Sequence, residues 1–356
     1  MKRILSTILA AASILTACDR GNSEIPQTPS TGNILILNNG NWGSNDACIT
    51  RYDAKTGTLT ANAFQKANGQ NLGDLAQDIL ADGNELYIAV YGSQVIFVTD
   101  HDLKIKKTIT AQADGNRLSP RYLTKGGDKV YVTYYEGYLG EIDPSDDYTV
   151  RTVKVGANPE GLAYLDGKIY VANSGGMNYP NYDNTVSVVS ASDFAVSSTI
   201  EVNTNPAKVL SAGGEIYVTS FGNYDDVPAK IQKIDPASDS VADLPYDSVS
   251  SAAVGADERL YVLCGGYDEG GNPLPGRVFI HGATPTPFVT DQTTFPEAYS
   301  LSATPDGYVY VGCSDYKNTG DVYMMTPQGT LHAKFDSQGL NPIAVCLKSW
   351  GNLGFG

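Results

Sequence analysis

A short apolar strand built around a tyrosine recurs along this chain at near-regular intervals, and no other feature limits its fold so tightly. The copies read NELYIAVYG at 84–92, DKVYVTYYEG at 128–137, GKIYVANSGG at 167–176, GEIYVTSFGN at 214–223, ERLYVLCGG at 258–266 and GYVYVGCSD at 307–315. Their tyrosines, Tyr87, Tyr131, Tyr170, Tyr217, Tyr261 and Tyr310, stand 44, 39, 47, 44 and 49 residues apart, the period of propeller blades. GNILILNNGN at 32–41 is a seventh copy with Leu35 in the tyrosine position.

Each tyrosine strand follows a second apolar stretch, often opened by proline, as in SPRYLTKGG from Ser119, NPEGLAYLDG from Asn158 and NPAKVLSAGG from Asn205. A third and a fourth strand come after it, separated by an Asp-bearing turn, which makes four short antiparallel strands per unit. The first unit lacks its opening strand, and NPIAVCL at 341–347 is an opening strand with no unit behind it. Joining the two closes a ring and hides the sheet edges that an open solenoid, the alternative, would leave exposed. The expected fold is all-β: a seven-bladed β-propeller of four-stranded antiparallel blades, closed by N- and C-terminal strands that share one blade. Composition agrees, since 37 Gly and 18 Pro beside 18% charged residues suit many short strands and tight turns. A length of 356 residues, which alone suggests two or three domains, is thus read as one propeller over 33–356, in which 348–356 has no assigned place.

Residues 1–17 read as a lipoprotein signal peptide: Lys2 and Arg3 precede an apolar run from Ile4 to Leu15, and Leu15-Thr16-Ala17-Cys18 has the form of a lipobox. Cys18 is then the lipidated residue, and 18–32 a flexible tether rich in Ser, Thr, Pro and Gly. This predicts an outer-membrane, lipid-anchored protein at the cell surface or the periplasmic face. The net charge of −15 argues against nucleic acid as a partner. The remaining cysteines, Cys48, Cys264, Cys313 and Cys346, lie in apolar strand runs and read as buried thiols, with Cys264 and Cys313 the one pair worth checking for a disulfide.

In a propeller the loops from second to third strand open on one face. Here they are rich in Gly and Asn and carry Trp42, Tyr91, Tyr135, Tyr179, Tyr224, Tyr267 and Tyr316, at least one large aromatic per blade. Taken singly these rings are loop pins or extra core; taken as a set they form a binding platform, because Tyr and Trp offer rigid area with a polar handle. Asn38, Asn39, Asn178 and Asn223 are candidate hydrogen-bonding groups among them. Arg117 and Arg121, near an inter-blade loop, are read as scattered surface charge or, failing that, as anion contacts. The three histidines, His101, His281 and His332, fall in outer-strand regions, and no nucleophile-elbow, zinc-protease or phosphate-loop motif occurs. Loop acids such as Asp183, Asp225, Asp226, Asp268 and Asp321 match no defined calcium loop. The expectation is a binding protein rather than an enzyme, with neither a catalytic residue nor a resident metal.

The tyrosine strands, the Asn-Pro inner strands, the Asp-Pro turns and the lipobox together resemble the YncE-like seven-bladed propeller lipoproteins of Bacteroidota, and among them the BtuG type, over residues 33–356. That resemblance implies capture of cobalamin or a related corrinoid on the loop face and its hand-over to a TonB-dependent outer-membrane transporter of the BtuB type. A corrin ring edged with amides would meet the seven aromatics and four asparagines above. A glycan- or protein-interaction scaffold using the same face is the binding alternative, and a quinoprotein- or lactonase-type propeller is the enzymatic one.

Overall fold

The computed structural model describes residues 33–267 and 272–347; the leader, Cys18, the tether, Asp268 and the segment 348–356 lie outside the described residues. Seven four-stranded antiparallel sheets follow one another around a ring. In the second blade the order from the axis outward is Ala76–Asp82, Glu85–Val90, Val95–Thr99 and Ile105–Ile109. The third to seventh blades repeat this order over 120–154, 159–201, 206–243, 249–287 and 298–340. The seven inner strands touch their neighbours in cyclic order, so the wheel closes. A short α-helix, Ala63–Asn68, leans against the first blade.

The first blade is composite, as the sequence predicts. Asn33–Asn38, Cys48–Asp53 and Thr58–Thr60 supply its outer three strands and Pro342–Leu347 its inner one. The closing pairs are antiparallel, with Leu35 opposite Cys346 and Leu37 opposite Ala344. Asn341, just before the closing strand, donates through Nδ2 to the Gly40 carbonyl at 3.0 Å and accepts at Oδ1 from the Ser314 hydroxyl at 2.6 Å. One buried side chain thus ties the seam to the blades on both sides of it.

The recurring tyrosines belong to second strands, which are covered on both faces by the neighbouring blades. Tyr87 and Tyr170 are 0% exposed and Leu35, their counterpart in the first blade, is also 0% exposed. Double-sided burial explains why these strands read as unbroken apolar runs, whereas an outer strand such as Ile105–Ile109 alternates buried with exposed. Cys48, Cys264 and Cys313 are buried free thiols in second and third strands, and Cys346 is a half-buried free thiol on the closing strand. Cys264 and Cys313 occupy matching positions in adjacent blades without a disulfide.

Two irregularities recur at the start of the inner strands. The residue preceding the strand is left-handed at Leu75, Asn158, Asn205, Ser248, Glu297 and Asn341, with φ between 46° and 59°. Asparagine tolerates that region better than most residues, which accounts for the Asn-Pro signature. A β-bulge follows at once: the register slips between Ala76 and Asp78, between Pro120 and Leu123, and at the matching place in the other inner strands. A bulge re-aims the side chains beside it. Here it turns the residues just after the proline position toward the axis at one end of the wheel.

Candidate ligand-binding face

Because each inner strand runs antiparallel to its second strand, the starts of the inner strands and the second-to-third loops share one face. Trp42, Tyr91 and Tyr135, from three successive blades, form a continuous run there: the ring centroids of Trp42 and Tyr91 are 5.8 Å apart, and those of Tyr91 and Tyr135 are 5.5 Å apart at nearly a right angle. The Tyr135 hydroxyl lies against Gly176 of the fourth blade, where any Cβ would collide with it. A second run joins the fourth and fifth blades, with Tyr182 edge-on to both Tyr179 and Tyr224 at 6.0 Å and Phe221 stacked on Tyr224. In the seventh blade Tyr299 meets Tyr316 edge-on at 5.5 Å beside Glu297, lining a small cleft. Tyr267 ends the sixth blade's second strand on the same face, next to the segment outside the described residues.

Several of these rings are exposed although aromatic side chains usually favour burial. Trp42, Tyr179 and Tyr224 are about 70% exposed and Tyr316 about half. Tyr224 and Tyr316 also sit at φ 61°, a left-handed backbone that costs a non-glycine residue roughly 1 kcal/mol. Neither core packing nor backbone preference accounts for a tyrosine at such a place. Strain retained under an exposed aromatic points to a use for the ring.

The mouth between these runs is polar and fully paired. Arg121 and Glu160, the residues after the opening prolines of adjacent inner strands, form a two-pronged ion pair with contacts of 2.6–2.9 Å. Arg121 also donates to the Gln77 carbonyl oxygen at 3.0 Å, and the Gln77 amide donates to the Tyr122 hydroxyl at 3.0 Å. The guanidinium carbon lies 4.8 Å from the Tyr91 ring centre and 5.0 Å from that of Tyr135, so the cation also holds these rings in place. Burial raises the Tyr135 hydroxyl to about 12, with Glu160 adding to the shift. Burial likewise pushes the Glu160 carboxyl upward against the pull of Arg121.

Asp78 and Lys208, both half-buried, lie further along the inner strands that surround the axis. The Asp78 carboxylate accepts from the Leu123 and Ile79 amides at 2.9 Å, while burial raises it to about 6. The Lys208 ammonium donates to the Ala252 and Leu301 carbonyls of two other blades, and burial lowers its pKa.

Four assignments made from sequence change here. Asn38 is fully buried at the seam, its amide directed to Cys48, Thr50 and the Ser337 carbonyl. Asn39 donates to the Ala76 carbonyl at 2.7 Å and is 9% exposed. Asn38 serves the seam and Asn39 the joint with the second blade, and neither offers its amide to a ligand. Asn223 braces its own loop, accepting from the Asp225 and Val227 amides and donating to Asp226, whereas Asn178 is exposed among the aromatics. Arg121 is no scattered surface charge but the paired centre of the mouth; Arg117 is exposed on the neighbouring hairpin, donating to the Gln94 carbonyl. Glu160 and Gln77 were not singled out. Their signal was the register of SPRY against NPEG, which puts opposite charges at one position of neighbouring inner strands.

The histidines lie off this face: His281 contacts Tyr217 and Tyr246, His332 meets Tyr308, and His101 binds the Gly83 carbonyl. Among the described residues no three His, Cys, Asp or Glu side chains converge on a metal-sized site. A groove of about 330 Å³ lies elsewhere, between the outer strands of the second and third blades, and is bridged by the Lys107–Asp147 ion pair. Its one aromatic lining residue is Tyr148, whose hydroxyl donates to Glu85 at 2.6 Å, in place of the runs of rings on the loop face.

Residues 32–264 match the family described as "Domain of unknown function (DUF5074)". No curated protein matches the sequence. Among solved structures, the chain is similar to a quinoprotein alcohol dehydrogenase-like protein from Bacteroides thetaiotaomicron, with 13% identity, coverage of 90% of this chain and 79% of that one, and a TM-score of 0.64. It is also similar to Kuenenia stuttgartiensis hydrazine synthase, with 18% identity, coverage of 75% and 87%, and a TM-score of 0.61. The computationally designed Ika8 protein matches at 12% identity, with coverage of 92% and 93% and a TM-score of 0.56. At these identities the likeness is one of fold.

Proposed function

The chain belongs to the DUF5074 family, and on that footing we propose that it is a ligand-binding propeller without catalytic chemistry of its own. Its aromatic face captures a broad ring edged with hydrogen-bonding groups, with cobalamin or a related corrinoid as the ligand. The protein is tethered through Cys18 and passes its ligand to a TonB-dependent outer-membrane transporter. One observation carries this reading: large exposed rings crowd a single face, two of them on left-handed backbone that gives a tyrosine no structural advantage. Flat rings stack on such a surface, and the hydroxyls and the Asn178 amide suit an amide-edged periphery. The histidines lie away from the face, so the vitamin would be held by its rim, with cobalt keeping its own axial ligands.

The test is calorimetric titration of residues 33–356 with cyanocobalamin, followed in parallel by the fluorescence of the exposed Trp42. Saturable heat and quenching at about micromolar ligand or below are expected. No heat and no quenching would remove the corrinoid reading. An enzyme of the quinoprotein type would instead hold stoichiometric metal after purification, which elemental analysis detects.

A further inference from the structure

Asp78 and Lys208 stand at the same level of the wheel. Each is the third residue after the left-handed position that precedes its inner strand, and in each strand the register slips immediately before it. Their strands, Ala76–Asp82 and Pro206–Ala212, are three places apart one way around the ring and four the other, so the two residues belong to opposite sides of it. The carboxylate is held by the Ile79 amide and by the Leu123 amide of the third blade, both at 2.9 Å. The ammonium donates to the Ala252 carbonyl of the sixth blade at 3.3 Å and the Leu301 carbonyl of the seventh at 3.5 Å, long contacts that use two of its three N–H groups. Backbone groups thus hold two opposite charges in place without letting them meet.

Their electrostatics agree. A closed ion pair moves its carboxyl down and its ammonium up, but burial raises Asp78 to about 6 and lowers Lys208, and the distant partner only softens each shift. The charged neighbours at the mouth bring no relief, because Arg121 and Glu160 are taken up with each other. Both Asp78 and Lys208 are short of counter-charge, and both remain half-buried rather than closed off from solvent. We infer that they bracket a second binding site on the axis, for a small zwitterion that gives its ammonium to Asp78 and its carboxylate to Lys208. Fixed groups of opposite sign, kept apart by hydrogen bonds made elsewhere, are already arranged for a ligand that carries both charges. The site is separate from the aromatic face and does not depend on what that face binds.

The experiment titrates the full-length mature protein at neutral pH and low salt with glycine, β-alanine, 4-aminobutyrate and 5-aminopentanoate, followed by calorimetry and saturation-transfer NMR. The member whose length matches the gap is expected to bind saturably at about millimolar or below, and at least ~10-fold more tightly than acetate or methylammonium, which carry one charge each. Lys208→Met and Asp78→Asn should each weaken that member ~10-fold; should either variant fail to fold, the comparison within the wild-type protein decides alone. No saturable binding of any member up to about 10 mM overturns the inference. So does acetate or methylammonium binding as well as the best zwitterion, equal binding along the whole series, or an unchanged affinity in a folded Lys208→Met variant. None of these results bears on the cyanocobalamin titration, which reads the loop face.

Discussion

Replacing Arg121 by Met is the sharpest probe of how the mouth is built. The pair it breaks is largely buried, with side chains 16% and 13% exposed, and it is two-pronged at 2.6–2.9 Å. Removing one partner of such a pair strands the other charge, which typically costs ~3–5 kcal/mol. Loss of the cation beside Tyr91 and Tyr135 adds roughly 1 kcal/mol. Glu160→Met strands Arg121 in the same way, though Gln77 and the two rings still hold the guanidinium. The double variant Arg121→Met, Glu160→Met buries no charge, so its loss should fall to ~1–2 kcal/mol, giving a coupling of several kcal/mol in the cycle. Urea denaturation followed by circular dichroism measures all four proteins. A pH series adds a signed check: Arg121→Met should be less harmful at pH 5 than at pH 8, because a protonated Glu160 no longer buries a bare charge. Additive single losses, with a coupling below ~0.5 kcal/mol, would refute the idea that these charges matter chiefly to each other.

Other consequences can be measured separately. Tyr224→Asn should leave stability unchanged or raise it by up to ~1 kcal/mol, since Asn accepts φ 61°, while weakening cyanocobalamin binding ~10-fold; a loss of stability with unchanged binding would make Tyr224 a loop pin. Asp78, raised to about 6 by burial, binds its proton more tightly in the folded state, so it subtracts stability as pH rises from about 4 to about 6, by up to ~3 kcal/mol. Asp78→Asn should flatten that decline, and parallel pH curves for the two proteins would count against it. Cys48 and Cys264 have thiols raised to about 11 and Cys313 and Cys346 to about 12, all by burial, so none should react with an alkylating reagent at pH 8 until the ring is unfolded. Gly222→Ala should fail to fold or lose several kcal/mol, because φ there is +69° and the added methyl would meet the Val227 carbonyl.

The architecture was legible because burial wrote it into the chain. Tyr87, Tyr131, Tyr170, Tyr217, Tyr261 and Tyr310 are enclosed between blades, so their strands carry an unbroken apolar signature at a regular period. The unmatched strand at 341–347 betrayed the closure for the same reason. The binding face was legible only as a set of loops. Asn38 and Asn39 looked like loop amides in NNGN, yet the first ends a strand and reaches the Ser337 carbonyl of the seventh blade, and the second reaches the Ala76 carbonyl of the second blade, demands visible only once the blades are side by side. Arg121 and Glu160 are 39 residues apart in sequence and become neighbours only through the inner-strand bulges. No local composition marks such a pair.

The direction of the first strand has a mechanical consequence. Asn33–Asn38 runs toward the loop bearing Trp42, so the backbone comes into the wheel at the end remote from the rings. Anything attached ahead of Asn33 therefore holds the disc by its blank side and leaves the tyrosine side turned outward. A transporter lying beside that attachment, as proposed above, would meet the tyrosine side only if the disc tipped over.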